Sequence, residues 1–229
     1  MDVLLDHVFQ PIVRLDTGRA THWEMLVRSV CGTVDAHTYV KSHEAARTVR
    51  YLDCWNLERA ISLAVSRRIP ADEGIAVNIS PETLCDPLSG DWIRKVLESS
   101  QVSSRILLEI TERGMIVATD EIVSRIQALR AVGAKVGLDD YGAGDCRENI
   151  LELCALDFIK IDGEIVESLG SPVSQAGDFV EEVVYRASLI GAKVIAERVS
   201  GRHLVERLLS YGVDLGQGHF LGSPQPLAK

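Results

Sequence analysis

The chain has 229 residues, 33 acidic against 24 basic, a net charge of −9, and is 46% hydrophobic and 25% charged. That apolar share supports a packed core and excludes a disordered or low-complexity chain. The acidic total argues against a nucleic-acid polymer as partner, because phosphates are neutralised by Lys and Arg.

Two patterns alternate along the chain. Short aliphatic or β-branched runs predict strands at 9–13 and 23–27, separated by Asp16-Thr17-Gly18, a turn signal that makes this first pair an antiparallel hairpin. The longest helical pattern runs over about 44–67, with Val49, Leu52, Trp55, Ala60, Leu63 and Ala64 spaced mainly by three and four as an apolar stripe. Strands follow at 75–79, 106–110, 135–138, 158–161, 193–196 and 215–220, with helices at 92–98, 120–132, 175–190 and 201–211. Gly133, Gly191 and Gly212 each stop a helix just before the next strand, as a left-handed C-terminal residue does. Eight strands alternating with helices give an α/β fold with a parallel sheet. A doubly wound open sheet is the alternative, but eight strands favour closure into a barrel. No linker, repeat or charge block divides residues 1–229, which read as one domain.

Five cysteines without a C-x-x-C pair speak against a disulfide framework or structural zinc and suit a reducing, cytoplasmic setting. The N-terminus lacks the regions of a signal peptide, and no apolar run nears the ~18 residues of a membrane span.

Charge falls at revealing places. Glu24, Asn78, Glu109, Asp139, Asp140, Lys160, Asp162, Glu197 and Gln217 lie within the expected strands or at their C-terminal ends. In a barrel of parallel strands those ends form one face, where active sites are built. Taken singly, an Asp or Asn there is more often a turn former or helix cap than a ligand. Glu109, however, interrupts an apolar run, and burying a lone carboxylate costs several kcal/mol unless it is paired or metal-bound. Converging carboxylates repel unless cations share the site, and an oxygen-rich set suits Mg²⁺ or Mn²⁺. Two such ions could hold a phosphodiester and activate a water, with Lys160 balancing the phosphate charge.

Gln10-Pro11-Ile12-Val13, Glu24-Met25-Leu26-Val27-Arg28, Val77-Asn78-Ile79-Ser80, Leu108-Glu109-Ile110-Thr111-Glu112, Asp139-Asp140-Tyr141-Gly142-Ala143-Gly144, Lys160-Ile161-Asp162, Ala196-Glu197 and Gln217-Gly218 follow one another in order. In this the chain resembles EAL domains, bacterial cyclic di-GMP phosphodiesterases and their degenerate relatives, from about residue 9 to 226. The resemblance implies a modified TIM (β/α)8 barrel with one antiparallel strand and hydrolysis of cyclic di-GMP to linear pGpG with two Mg²⁺ or Mn²⁺ ions. It implies that Glu24, Asn78, Glu109 and Asp139 hold one ion and Asp139, Asp140 and Glu197 the other. Lys160, Glu197 and Asp140 would be the catalytic groups. Gln10, Leu26, Arg28, Asp162 and Gln217 would line the dinucleotide pocket, and Glu112 would anchor the loop after Asp140. A homodimer and a protein partner in signalling are compatible with it.

The chain departs from the family pattern at Met25 of the signature triplet, at Arg198 and Ser200, where a glycine and a second glutamate are usual, across residues 145–149, and at His219. These changes leave open an alternative, a degenerate EAL domain that binds cyclic di-GMP or a protein partner without catalysis.

Overall fold

A computed structural model describes residues 5–29, 36–111, 120–143, 150–171 and 175–227. Ten-residue strands β1 (Leu5–Arg14) and β2 (Ala20–Ser29) form the expected hairpin, closed at Gly18 with a left-handed φ of 69°. The other strands are β3 (Gly74–Ile79), β4 (Ile106–Thr111), β5 (Lys135–Tyr141), β6 (Phe158–Ile161), β7 (Lys193–Ala196) and β8 (Leu215–Gly216). They pair in sequence order into a closed barrel. Strand β1 runs antiparallel to both neighbours, and every other pairing is parallel. The modified TIM barrel with one antiparallel strand is therefore the observed fold.

Among the described residues the helices are α1 (Ala36–Ala45), α2 (Val49–Val65), α3 (Pro81–Cys85), α4 (Pro87–Ser99), α5 (Asp120–Ala131), α6 (Ile150–Leu153), α7 (Gly163–Ser168), α8 (Ala176–Ile190) and α9 (Arg202–Ser210). No helix among those residues is long and apolar enough to cross a membrane. The main core lies between helices and barrel wall, where Leu57, Ile93, Leu108 and Val180 are wholly buried. A second, smaller cluster of Ile12, Ala76, Leu107, Phe158, Ile195 and Leu215 fills the barrel interior.

Three local expectations are corrected. The helix expected over 44–67 is α2 and starts only at Val49, because α1 ends at Ala45, Arg47 takes a left-handed φ of 56° and Thr48 Oγ1 bonds the His43 ring. Trp55 is not part of the buried stripe: it is 39% exposed and packs against His7 with ring centroids 4.6 Å apart and planes tilted by 30°. Strand β8 ends at Gly216 rather than 220, because the chain turns at Gly218, whose α-carbon presses against the Val199 backbone so closely that no Cβ would fit. The glycine stops hold: Gly133, Gly191 and Gly212 all have left-handed φ, at 91°, 73° and 84°.

Candidate active site

Side chains alternate along a strand, so one set from each strand points into the barrel. The parallel register puts Asn78 beside Glu109, and the hairpin puts Gln10 beside Glu24. Asn78 and Glu109 lie in the C-terminal halves of their strands, and Glu197 and Gln217 directly follow β7 and β8. Asp53, which sequence reasoning passed over, fixes the turn after Asn78. Its Oδ2 accepts from Ser80 N at 2.9 Å, Ser80 Oγ at 2.8 Å and Thr83 Oγ1 at 2.5 Å. Its signal was a carboxylate on the buried face of α2 between Val49 and Leu57.

Neighbouring residues of a regular strand face opposite ways, yet Asp139 and Asp140 both turn toward the mouth. The register of β5 against β6 shifts between Leu138 and Tyr141, and Asp140 takes a left-handed φ of 57°. Such a bulge re-aims one side chain, and here it brings consecutive carboxylates to one place.

Lys160 stands at the centre, 1% exposed. Its Nζ lies 2.8 Å from Asp139 Oδ1, 2.9 Å from Glu197 Oε1, 3.5 Å from Glu109 Oε2 and 3.7 Å from Glu24 Oε2. Gln217 Nε2 donates to Glu24 Oε2 at 2.6 Å and to Gln10 Oε1 at 3.3 Å, while Asn78 Nδ2 donates to Glu24 Oε1 at 3.1 Å. Burial drives the Glu109 carboxyl well above its usual range, Lys160 offsets part of this, and Glu24, Asp139 and Glu197 add to it. Burial likewise raises Glu197 to about 7 against the pull of Lys160. For Lys160 burial favours the neutral amine, but Asp139, Glu109, Glu197 and Glu24 outweigh it and hold the ammonium well above its ordinary value.

One ammonium faces four carboxylates, so the basin keeps an excess of negative charge. Carboxylate oxygens of Glu24, Glu109 and Asp139 lie within 4.8 Å of one another, as do those of Asp139, Asp140 and Glu197. Among the described residues the buried acceptors Asn78 Oδ1, Glu109 Oε1 and Gln217 Oε1 have no hydrogen-bond donor, while Asp139 Oδ1 is ion-paired to Lys160 at 2.8 Å. An all-oxygen donor set with orphaned acceptors fits a hard divalent cation.

The predicted pocket lining is less uniform. Gln10 and Gln217 join the basin. Leu26 is half-buried, and Arg28 is exposed, with Nη1 donating to Val27 O at 2.8 Å rather than reaching the acidic groups. Asp162, 7% exposed, accepts from Glu164 N at 2.8 Å and caps α7, the bland role open to an Asp at a strand end. Glu112 and residues 145–149 lie outside the described residues. Arg198 takes a left-handed φ of 47°, and Ser200 is exposed.

A family model for the EAL domain matches residues 4–224. The chain belongs to the EAL domain family. It is 28% identical over 181 residues to the cyclic di-GMP phosphodiesterase PdeF of Escherichia coli, covering 77% of this chain and 24% of PdeF. It is 28% identical over 234 residues to the cyclic di-GMP phosphodiesterase NbdA of Pseudomonas aeruginosa, covering 99% of this chain and 30% of NbdA. The chain thus spans about a quarter to a third of the length of these curated relatives. The PaMucR phosphodiesterase in complex with c-di-GMP superposes with a TM-score of 0.87 at 26% identity, covering 97% of both chains. The Xanthomonas citri FimX EAL domain in complex with c-diGMP gives 0.84 at 25% identity, covering 97% of this chain and 88% of that one.

Proposed function

We propose that this EAL domain is a metal-dependent phosphodiesterase that opens cyclic di-GMP to linear pGpG. The carrying observation is the gathering of Glu24, Glu109, Asp139 and Glu197 around Lys160 at the C-terminal mouth of the barrel, with buried acceptors left over. Glu24, Asn78, Glu109 and Asp139 would hold one Mg²⁺ or Mn²⁺ ion, and Asp139, Asp140 and Glu197 a second. Bound there, divalent ions lower the pKa of a water and screen the charge of a phosphodiester.

The chain's own groups account for the rest. Lys160 stays protonated because four carboxylates surround it, so Nζ presents a fixed positive charge to a phosphate oxygen or orients the attacking water. Gln217 and Asn78 hold both oxygens of Glu24 by hydrogen bonds, which fixes that carboxylate before any ligand arrives. Water oxygen adds to phosphorus while the bond from phosphorus to ribose O3′ breaks, and O3′ leaves as a hydroxyl carrying a proton. That proton comes from the attacking water, and Glu197 and Asp140 would act beside Lys160 as catalytic groups by helping to hold the second ion. Gln10, Leu26, Arg28, Asp162 and Gln217 would line the dinucleotide pocket, and Glu112 would anchor the loop after Asp140. A homodimer, a signalling partner and a cytoplasmic location are compatible proposals.

Arg198 and Ser200, on the loop that carries Glu197, favour a second reading, a receptor that binds cyclic di-GMP without cleaving it. One assay separates the two. Purified chain is incubated with cyclic di-GMP and Mn²⁺ or Mg²⁺, and the products are resolved by chromatography. Formation of pGpG that stops in chelator and in Glu24→Ala supports the enzyme. Saturable nucleotide binding with no pGpG in either metal overturns it in favour of the receptor.

A further inference from the structure

The opposite end of the barrel holds a cavity of about 290 Å³. It is lined by the first residues of five parallel strands, Gly74, Lys135, Phe158, Lys193 and Leu215 of β3, β5, β6, β7 and β8, and by Arg105, directly before β4. Lys135 starts the strand on which Asp139 sits, so about 13 Å of β5 separates this cavity from the acidic basin. The apolar layer of Leu107, Phe158, Ile195 and Leu215 lies between them.

Its charged groups divide into those already engaged and those that are not. Asp72 pairs with Arg19, and Glu73 Oε2 accepts from Trp23 Nε1 at 2.6 Å. Arg105 is fully committed to main-chain carbonyls, with Nε on Glu73 O at 3.0 Å, Nη1 on Ala64 O at 2.8 Å and Nη2 on Ile69 O at 3.1 Å and Pro70 O at 2.8 Å. Lys135 and Lys193 differ. Among the described residues neither ammonium has a carboxylate within 4.0 Å, and Lys135 Nζ rests 5.5 Å above the Phe158 ring. Two ammonium groups without an ion pair, on a lining where Arg105, Lys135 and Lys193 outnumber Asp72 and Glu73, form a local site for an anion in a chain of net charge −9. Ser104 in the same lining brings a hydroxyl suited to an oxyanion, whereas the Thr21 hydroxyl is donated to Ile12 O at 3.2 Å.

We propose that this floor, through Lys135 and Lys193, binds a small phosphate-bearing anion, at a site separate from the acidic basin.

Calorimetric titration of the chain with inorganic phosphate, and separately with GMP, tests this in chelator at matched ionic strength. Without divalent ions the acidic basin repels phosphate, so binding there does not mask the floor. The wild-type chain is expected to bind saturably in at least one arm. Binding of phosphate alone marks the free ion as ligand, and binding of GMP marks a phosphate ester. The Lys135→Gln/Lys193→Gln variant should bind at least about tenfold more weakly, the size expected for losing charge-assisted hydrogen bonds. A Lys41→Gln/Lys95→Gln control should bind as wild type. Should the double variant fail to melt cooperatively in chloride, Lys193→Gln alone, at an exposed position, must show the weakening. No saturable binding to wild type, or equal affinity in the floor variants, overturns the proposal.

Discussion

Gly163 opens α7 at the place where the Arg198 side chain lies, and a Cβ on Gly163 would overlap Arg198 Cγ and Cδ. Among the described residues Arg198 has little else to hold it. Its guanidinium reaches Glu167 only at 3.8 Å, both side chains are more than half exposed, and such a pair contributes little. Its left-handed φ costs roughly 1–2 kcal/mol for a non-glycine residue. Arg198 and Gly163 are thus a matched steric pair joining the loop after Glu197 to the helix capped by Asp162.

Gly163→Ala should therefore lower the melting temperature of the wild-type chain and leave it unchanged or higher in an Arg198→Gly background, where the added methyl improves helix propensity. A thermal double-mutant cycle should give a coupling of about 0.5–3 kcal/mol, as for residues in contact. Additive effects would contradict the pairing.

Lys160→Met removes the one ammonium that, among the described residues, sits among four carboxylates. Breaking a buried charge network by deleting one partner costs about 3–5 kcal/mol. In chelator the variant should show a lower urea midpoint than wild type, and Mn²⁺ should restore part of the loss. An unchanged midpoint in chelator would mean that Lys160 does not balance the basin.

Gln217→Ala leaves Glu24 Oε2 without its 2.6 Å donor. A hydrogen bond to a charged group contributes about 1.5–3 kcal/mol, so denaturant unfolding should show a loss in that range. Gln217→Glu should cost more, because it adds a further carboxylate beside Glu24.

Burial lowers the His7 imidazole below its ordinary value of 6.5, although the hydrogen bond to Asn56 works the other way. With the folded pKa below the unfolded one, the unfolded chain takes up the proton first as pH falls. The His7 contribution is present above about pH 6.5 and is lost as pH falls through the folded value. The stability gap between wild type and His7→Gln, measured by urea unfolding at stepped pH, should narrow from neutral toward pH 5. A gap that widens on acidification would contradict the burial argument.

The barrel was legible because strand periodicity, glycine stops and the Asp16-Thr17-Gly18 turn all act locally. What escaped was set by local backbone conformation or by contacts between distant segments. The apolar stripe begins at Val49, and no Gly or Pro in residues 44–48 marks the left-handed Arg47 that separates α1 from α2. Trp55 fitted a helical stripe, but β1 offered it the ring of His7 rather than a core. Strand β8 looked longer since only the approach of Val199 to Gly218 ends it. The basin itself could be read because charged residues interrupt apolar strands, and a buried carboxylate needs a partner. Asp162 is different: a strand-end Asp serves as cap or ligand with the same letter, and here its Oδ1 accepts from Glu164 N.

Manganese uptake, followed by the loss of the free-ion electron paramagnetic resonance signal, tests the acidic basin directly. Asp139 belongs to both carboxylate groups. The wild-type chain should take up Mn²⁺ in the absence of nucleotide, and Asp139→Asn should abolish most of that uptake while remaining folded. Equal Mn²⁺ uptake by both proteins, or none by wild type even with cyclic di-GMP present, would contradict a divalent-ion site built from these carboxylates.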